Sequence, residues 1–317
     1  MKHEIYVVPP EQYPLSLGTS IYRPKTLYAM GKLPPASTEG NDSGEKSIRI
    51  ATPDTERAGR TFGIAMVGTR RPGTSAKLLC KRLVESLRGT RAVVVSGLAQ
   101  GIDSFCHEAA LDAGIPTVAV LAQGLDTRIE GSRGELAQRI LEAGGALVSQ
   151  FEPDEVAYKG NFPARNKIIS GMSDTTLVVQ SKAKGGALLT AEFARKEGKM
   201  LYAIPGDFDS EVASGPNTLL DRGLAKPVFS PESLRSVLGL PKTEGLSLHE
   251  LSLAGLHLDK ATLDFFKRVN GFRKTFSELQ SEFDFNISQL LTILTELEMA
   301  GLAHTDDNFV FQFDGVN

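Results

Sequence analysis

Lys159, Phe162, Arg165, Asn166 and Lys167 fall within nine residues at the start of a helical pattern. Cations for phosphate beside a ring on which a base can stack are what proteins use to hold single-stranded nucleic acid. Three other stretches carry related chemistry. Val67 runs into Gly68-Thr69-Arg70-Arg71-Pro72-Gly73-Thr74-Ser75. There Gly68 permits a tight exit, Arg70 falls at a rim, Thr74 or Ser75 can cap the next helix, and the helix start offers N–H groups to an anion. Lys182, Lys184, Gly185 and Gly186 precede another helical pattern, a second arrangement suited to an anion. Ser96-Gly97-Leu98-Ala99-Gln100-Gly101-Ile102-Asp103, with His107 one turn on, has two glycines for close backbone approach and Asp103 as a plausible N-cap. Asp103 and His107 are expected to hold that loop through hydrogen bonds.

Other chemistries lack their spacing. The Gly68 to Gly73 loop has no Gly-Lys-[Ser/Thr], so it is not a P-loop, and no GxGxxG follows the strand. A Ser/Asp/His set around Asp103 and His107 has no GxSxG elbow. His3, His107, His249, His257 and His304 form no HxxxH or HExxH pair, and no metal or other cofactor is expected. Cys80 and Cys106 lie inside helical patterns without CxxC spacing and read as packing residues.

These segments need a scaffold that brings them to one edge. Six apolar, β-branched runs alternate with helical patterns: Phe62–Val67, Ala92–Val95, Thr117–Leu121, Ala146–Ser149, Thr175–Val179 and Met200–Ile204. Helices over Ala76–Leu87 and Ala187–Glu197 follow two of them. Repeated βαβ units predict an α/β fold, a Rossmann-like, doubly wound, mostly parallel sheet, with ligands outside the carboxyl ends of its strands.

With 317 residues, 41% hydrophobic and 23% charged, the chain can bury such a core and a second small domain. The expected division is a short N-terminal segment and linker over 1–60, the Rossmann-like domain over 61–240 and a winged-helix-like module over 245–317. The module rests on helical patterns at Lys260–Val269, Phe276–Phe283 and Ile287–Met299, with Ile287, Leu290, Leu291 and Leu294 as the apolar stripe. Gly301 and Asn308 frame a hairpin ending at Phe309–Phe313. The third helix carries Glu296 and Glu298 and no Lys or Arg, which favours protein contact or dimerisation over groove reading. No leader and no bilayer-length apolar run is evident, so the expected location is cytoplasmic, without membrane. The net charge of −3 hides seven basic residues against Glu85 alone between Gly68 and Arg91. Phosphate answers to that local field.

Several motifs together resemble the DprA (Smf) family, DNA-processing proteins of bacterial transformation. They are Gly68-Thr69-Arg70, Ser96 to Asp103 with His107, Gly124-Leu125-Asp126, Phe162-Pro163-Ala164-Arg165-Asn166-Lys167-Ile168-Ile169-Ser170-Gly171, Leu189-Thr190-Ala191, Ala203-Ile204-Pro205-Gly206 and Gly215-Pro216-Asn217. The resemblance covers about Ala65 to Val228, over half the chain. It implies an extended Rossmann domain that binds single-stranded DNA without sequence preference, dimerises, protects the incoming strand and helps load the RecA recombinase, with no catalysis. The family's DNA-contacting positions match Arg70, Gly124, Lys159 and Phe162. Arg128-Ile129-Glu130 replaces a usual Tyr-Pro, Gln180 a common acid and Ala187 a serine, which bears on the shape of the pocket. A second family, the lonely-guy phosphoribohydrolases, shares the fold. Lys184-Gly185-Gly186-Ala187-Leu188-Leu189-Thr190-Ala191-Glu192 distantly resembles its phosphate motif, with Leu189 where a third glycine belongs.

Overall fold

The computed structural model describes residues 4–35, 61–240, 260–269, 272–283, 285–299, 303–305 and 310–313. They fall into two compact units, divided after Pro241.

In the first unit a nine-stranded sheet is built from β1 (Ile5–Val7), β2 (Tyr28–Gly31), β3 (Phe62–Val67), β4 (Ala92–Ser96), β5 (Thr117–Val120), β6 (Ala146–Ser149), β7 (Thr175–Val178), β8 (Met200–Ala203) and β9 (Lys226–Pro227). The six predicted runs are all strands, each within one residue of its expected end. Their order is β1-β2-β6-β5-β4-β3-β7-β8-β9, parallel from β6 to β9. Helices α1 (Ala76–Glu85), α2 (Ile102–Asp112) and α3 (Ser132–Glu142) pack on one face, and α4 (Asn161–Met172) and α5 (Ala187–Lys196) on the other. The strand period of two makes this possible. Phe62, Ile64 and Met66 join the core under α1 and α2, whereas Ala65 and Val67 join the core under α4 and α5. Cys80 and Cys106 are buried in the first of these cores.

The N-terminal segment is not separate from this domain. β2 pairs antiparallel with β6, Ala29 opposite Val148, and β1 pairs with β2. Tyr13, Leu15, Leu17 and Leu27 are buried in the core that includes α4. A stretch too short for its own core gains one by covering the open edge of β6. Of the expected linker, residues 36–60 lie outside the described residues.

The second unit has helices Lys260–Val269, Phe276–Glu282 and Ile287–Met299 and an antiparallel sheet with Val310–Phe313 between Arg273–Thr275 and Ala303–Thr305. The three helices and the hairpin strands match expectation, while Gly301 and Asn308 lie outside the described residues. The strand at Arg273 was unforeseen, because Arg-Lys-Thr has no apolar alternation and takes its order from its partner. Leu290, Ile293, Leu294 and Leu297 form the buried stripe, and Ile287 and Leu291 are exposed. The expected stripe was therefore misplaced by part of a turn. No helix among the described residues is long and apolar enough to cross a membrane.

Candidate nucleic-acid interface

Strand order reverses between β3 and β7, so the loops that leave these two neighbours part at the carboxyl rim. A cleft of about 540 Å³ opens there. Its walls are the Gly68–Arg70 turn after β3, the Lys182–Gly186 turn after β7 and the first turns of α4 and α5. From α4, Phe162, Arg165, Asn166 and Ile169 face it, the spacing of one helical face. The Arg70 guanidinium carbon lies 5.0 Å from the Phe162 ring centre and that of Arg165 6.0 Å, so two cations lean on one half-buried ring. Lys159 and Lys184 are exposed at the rim, and Asn166 donates to the Gly186 carbonyl at 3.4 Å. Gly160 and Gly186 stand at the N-caps of α4 and α5 without side-chain caps, so both helix ends add positive field. Beyond Phe162 a smaller recess of about 170 Å³ shares Arg70, Phe162 and Arg165 with the cleft.

Glycines clamp the Arg70 turn. A β-carbon on Gly68 would lie 2.4 Å from the Ile102 side chain, and one on Gly101, whose φ is +86°, would lie 2.4 Å from the Thr69 carbonyl. The Thr69 N–H donates to the Gln180 carbonyl at 2.7 Å, Ile102 N–H to Thr69 O at 3.2 Å, and Gly73 N–H to the Gln180 side chain at 3.0 Å. The turn is thus fixed by the end of β7 and the start of α2. Ser96 donates to Met66 O at 2.7 Å and ties β4 to β3.

Arg165, expected to touch DNA, forms the floor of the site at 5% exposure. Its Nη1 donates to Gly97 O at 2.5 Å and Val120 O at 3.2 Å. Burial lowers its pKa to about 10, Asp103 opposes that shift, and Arg70 and Arg133 add to it. Asp103 in turn accepts from Gly97 N–H at 3.1 Å, and burial raises its carboxyl despite the Arg165 charge. Gly97 is required because a β-carbon there would sit 1.5 Å from Arg165 Nη1. Gly97→Ala should therefore expel the guanidinium from its carbonyls and cost about 2 kcal/mol by urea unfolding; an unchanged midpoint would refute the clamp.

Other expected site residues are placed differently. Lys167 lies off the cleft face of α4, with its ammonium 5.8 Å from the Tyr22 ring and 5.7 Å from Phe193. Gly124 is buried, donates to Glu155 O at 2.8 Å and leaves 2.0 Å between a β-carbon and Glu152 O, so it braces the 152–155 loop without lining the cleft. Gly186 has an ordinary φ and open space where a β-carbon would go; the structural demand falls on Gly185, whose β-carbon would meet Ser181 Oγ at 2.2 Å. Asp103 does not cap α2, since Gly101 is the N-cap, and Ser75 caps α1 without a side-chain hydrogen bond. His107 is buried and bonds Thr117. Lys182 lines the cleft but pairs with Glu211 at 2.6 Å. Removing that competitor should help an anion: Glu211→Gln should tighten oligonucleotide binding roughly two- to fivefold, within the range of an exposed ion pair, as anisotropy would read. Sequence reasoning gave no role to Arg133, whose Nε donates to Leu98 O at 2.9 Å and which lines the smaller recess. Its signal was Gly131-Ser132-Arg133 opening a helical pattern after the third predicted strand.

A doubly wound sheet whose carboxyl rim gathers Arg70, Lys159 and Lys184 around a ring defines a Rossmann-like protein with a cation-lined cleft at its switch point. The family described as DNA recombination-mediator protein A matches residues 55–239, and the chain belongs to it. Protein Smf of Escherichia coli is 38% identical over 174 residues, covering 55% of this chain and 46% of that protein. The DNA processing protein DprA of Bacillus subtilis is 37% identical over 176 residues, covering 56% and 58%. The chain thus spans about half the length of the curated relatives it matches. Among solved structures, DprA of Streptococcus pneumoniae superposes with a TM-score of 0.60 at 28% identity, covering 74% of each chain. DprA of Helicobacter pylori, described for its single-stranded DNA binding mode, gives 0.58 at 26%, covering 74% of this chain and 96% of that one. The resemblance read from the motifs holds.

Proposed function

We propose that this chain binds single-stranded DNA in the switch-point cleft without reading bases, and serves recombination as a non-enzymatic mediator. The observation that carries this is the cation-flanked Phe162 ring in a cleft rimmed by exposed Lys159 and Lys184. A ring stacks on any base and cations track any phosphate, so the arrangement favours strands over sequences. The described similarity of the Helicobacter pylori relative supports the same ligand. Protection of the strand, its delivery to a RecA-class recombinase, homodimerisation and a cytoplasmic setting complete the reading. They rest on family membership, with the acidic helix Ile287–Met299 as the surface for a protein partner. Anisotropy with oligo-dT should show log K falling linearly with log salt. Phe162→Ala should cost 1 to 3 kcal/mol, roughly one stacked base. Salt-independent binding, or an unchanged Phe162→Ala, would sink the reading.

A further inference from the structure

The recess beyond Phe162 differs from the cleft in size and charge. At about 170 Å³ it falls below the roughly 300 Å³ at which pockets for whole small molecules begin, so it admits a group of a nucleotide rather than a nucleotide. Arg70, Arg133 and Arg165 line it with the amides Gln100 and Gln123, and no carboxylate does. Asp103, on the cleft side, is the acid whose charge acts on both Arg133 and Arg165. Three guanidiniums set against that one carboxylate leave about two positive charges uncompensated. Arg165 is 5% exposed, and its Nε has no hydrogen-bond partner among the described residues. Arg133 is anchored by its Nε to Leu98 O at 2.9 Å, which aligns a half-buried guanidinium without neutralising it. Burial lowers the pKa of Arg133 and the Arg70 charge lowers it further, with the Asp103 carboxylate opposing both.

We propose that this recess is an end site: it takes the terminal phosphomonoester of a DNA strand whose body lies in the cleft. Resting on the single-strand reading above, it adds the feature of the strand that is recognised. An internal phosphodiester brings one negative charge and two ester substituents. A terminal monoester brings nearly two charges at neutral pH and three free oxygens, matching an excess of about two cations presented as forks. Recognition of a free end would fix where a short strand starts along an otherwise sequence-blind cleft.

The test uses oligo-dT of about six nucleotides, short enough for one end contact to matter, carrying a 5′-phosphate, a 3′-phosphate or neither. Anisotropy competition at fixed salt should show one phosphorylated end binding about tenfold tighter than the bare strand, as two charge-assisted hydrogen bonds permit. That advantage should shrink as pH falls through about 6, where the monoester regains its second proton. Arg133→Gln should remove it and leave the bare strand within about threefold of wild type, while Arg133→Lys should restore part of it. Equal binding of all three strands, or an end preference unchanged in Arg133→Gln, overturns the end site and leaves the single-strand reading standing. Failure of even the bare strand to bind overturns both.

Discussion

Arg70→Glu should weaken binding of an oligo-dT on the order of 100-fold at moderate salt. Arg70 lines both the cleft and the smaller recess, as do Phe162 and Arg165. It is exposed, and its turn is locked between Gln180 and Gly101, so its backbone is held in place before any ligand arrives. Reversal removes a phosphate partner and adds a repelling charge. It also strips the Phe162 ring of a cation 5.0 Å from its centre. Each lost phosphate contact lowers the salt slope by about one unit, so the log–log slope should flatten with the affinity. Lys167→Glu is the control. It makes the same change of charge on α4, but Lys167 stacks on Tyr22 and Phe193 away from the cleft, and its loss should stay below about threefold. Equal losses at Arg70 and Lys167 would mean that only net charge matters and that no defined groove exists.

The contrast between those two residues shows what the sequence made legible. β-branched runs broken by glycine fixed the strands and their βαβ order, and the rule that ligands gather at carboxyl ends pointed to the loops that line the cleft. Arg70 from one crossover and Lys159 and Phe162 from another do line one cleft. Local composition could not tell the two ends of a helical turn apart. Arg165 and Lys167 are neighbours in a basic run, yet one forms the nearly buried floor of the site and the other faces aromatic rings outside it. That difference is decided by where β4 and β5 present free carbonyls, which no spacing along α4 reports. The ion pair of Lys182 was illegible for a related reason, since its partner Glu211 arrives from beyond the next strand. The N-terminal strands were missed because their pairing depends on an open edge at β6, a tertiary fact. Arg133 drew no role from the sequence because its place is defined by Arg70 and Phe162 across the recess, not by residues near it in the chain.

His107 should make the domain acid-sensitive, and the sign can be worked out from its bonds. Thr117 Oγ1 gives its only proton to Val94 O at 2.9 Å, so at its 2.7 Å contact with His107 Nδ1 the ring must be the donor. The proton therefore sits on Nδ1 and the lone pair on Nε2, which is buried without a hydrogen-bond partner among the described residues. Protonating Nε2 would place a charge with no acceptor in a fully buried site that already feels Arg165. Burial first, and that cation second, lower the pKa from 6.5 to about 3. The folded state thus refuses a proton that the unfolded chain accepts below 6.5, and stability falls as pH drops from there toward 3. At 1.36 kcal/mol per unit the whole window amounts to about 4 to 5 kcal/mol. Asp103 acts in the opposite sense, because its raised pKa leaves the unfolded chain more ionised just above the ordinary carboxylate range. The clear comparison therefore lies above pH 5. Between pH 6 and 5, wild type should lose roughly 1 kcal/mol more than His107→Gln in urea unfolding followed by circular dichroism. Parallel pH profiles for the two proteins would show that His107 is already charged in the fold, and the tautomer assigned here from Thr117 would be wrong.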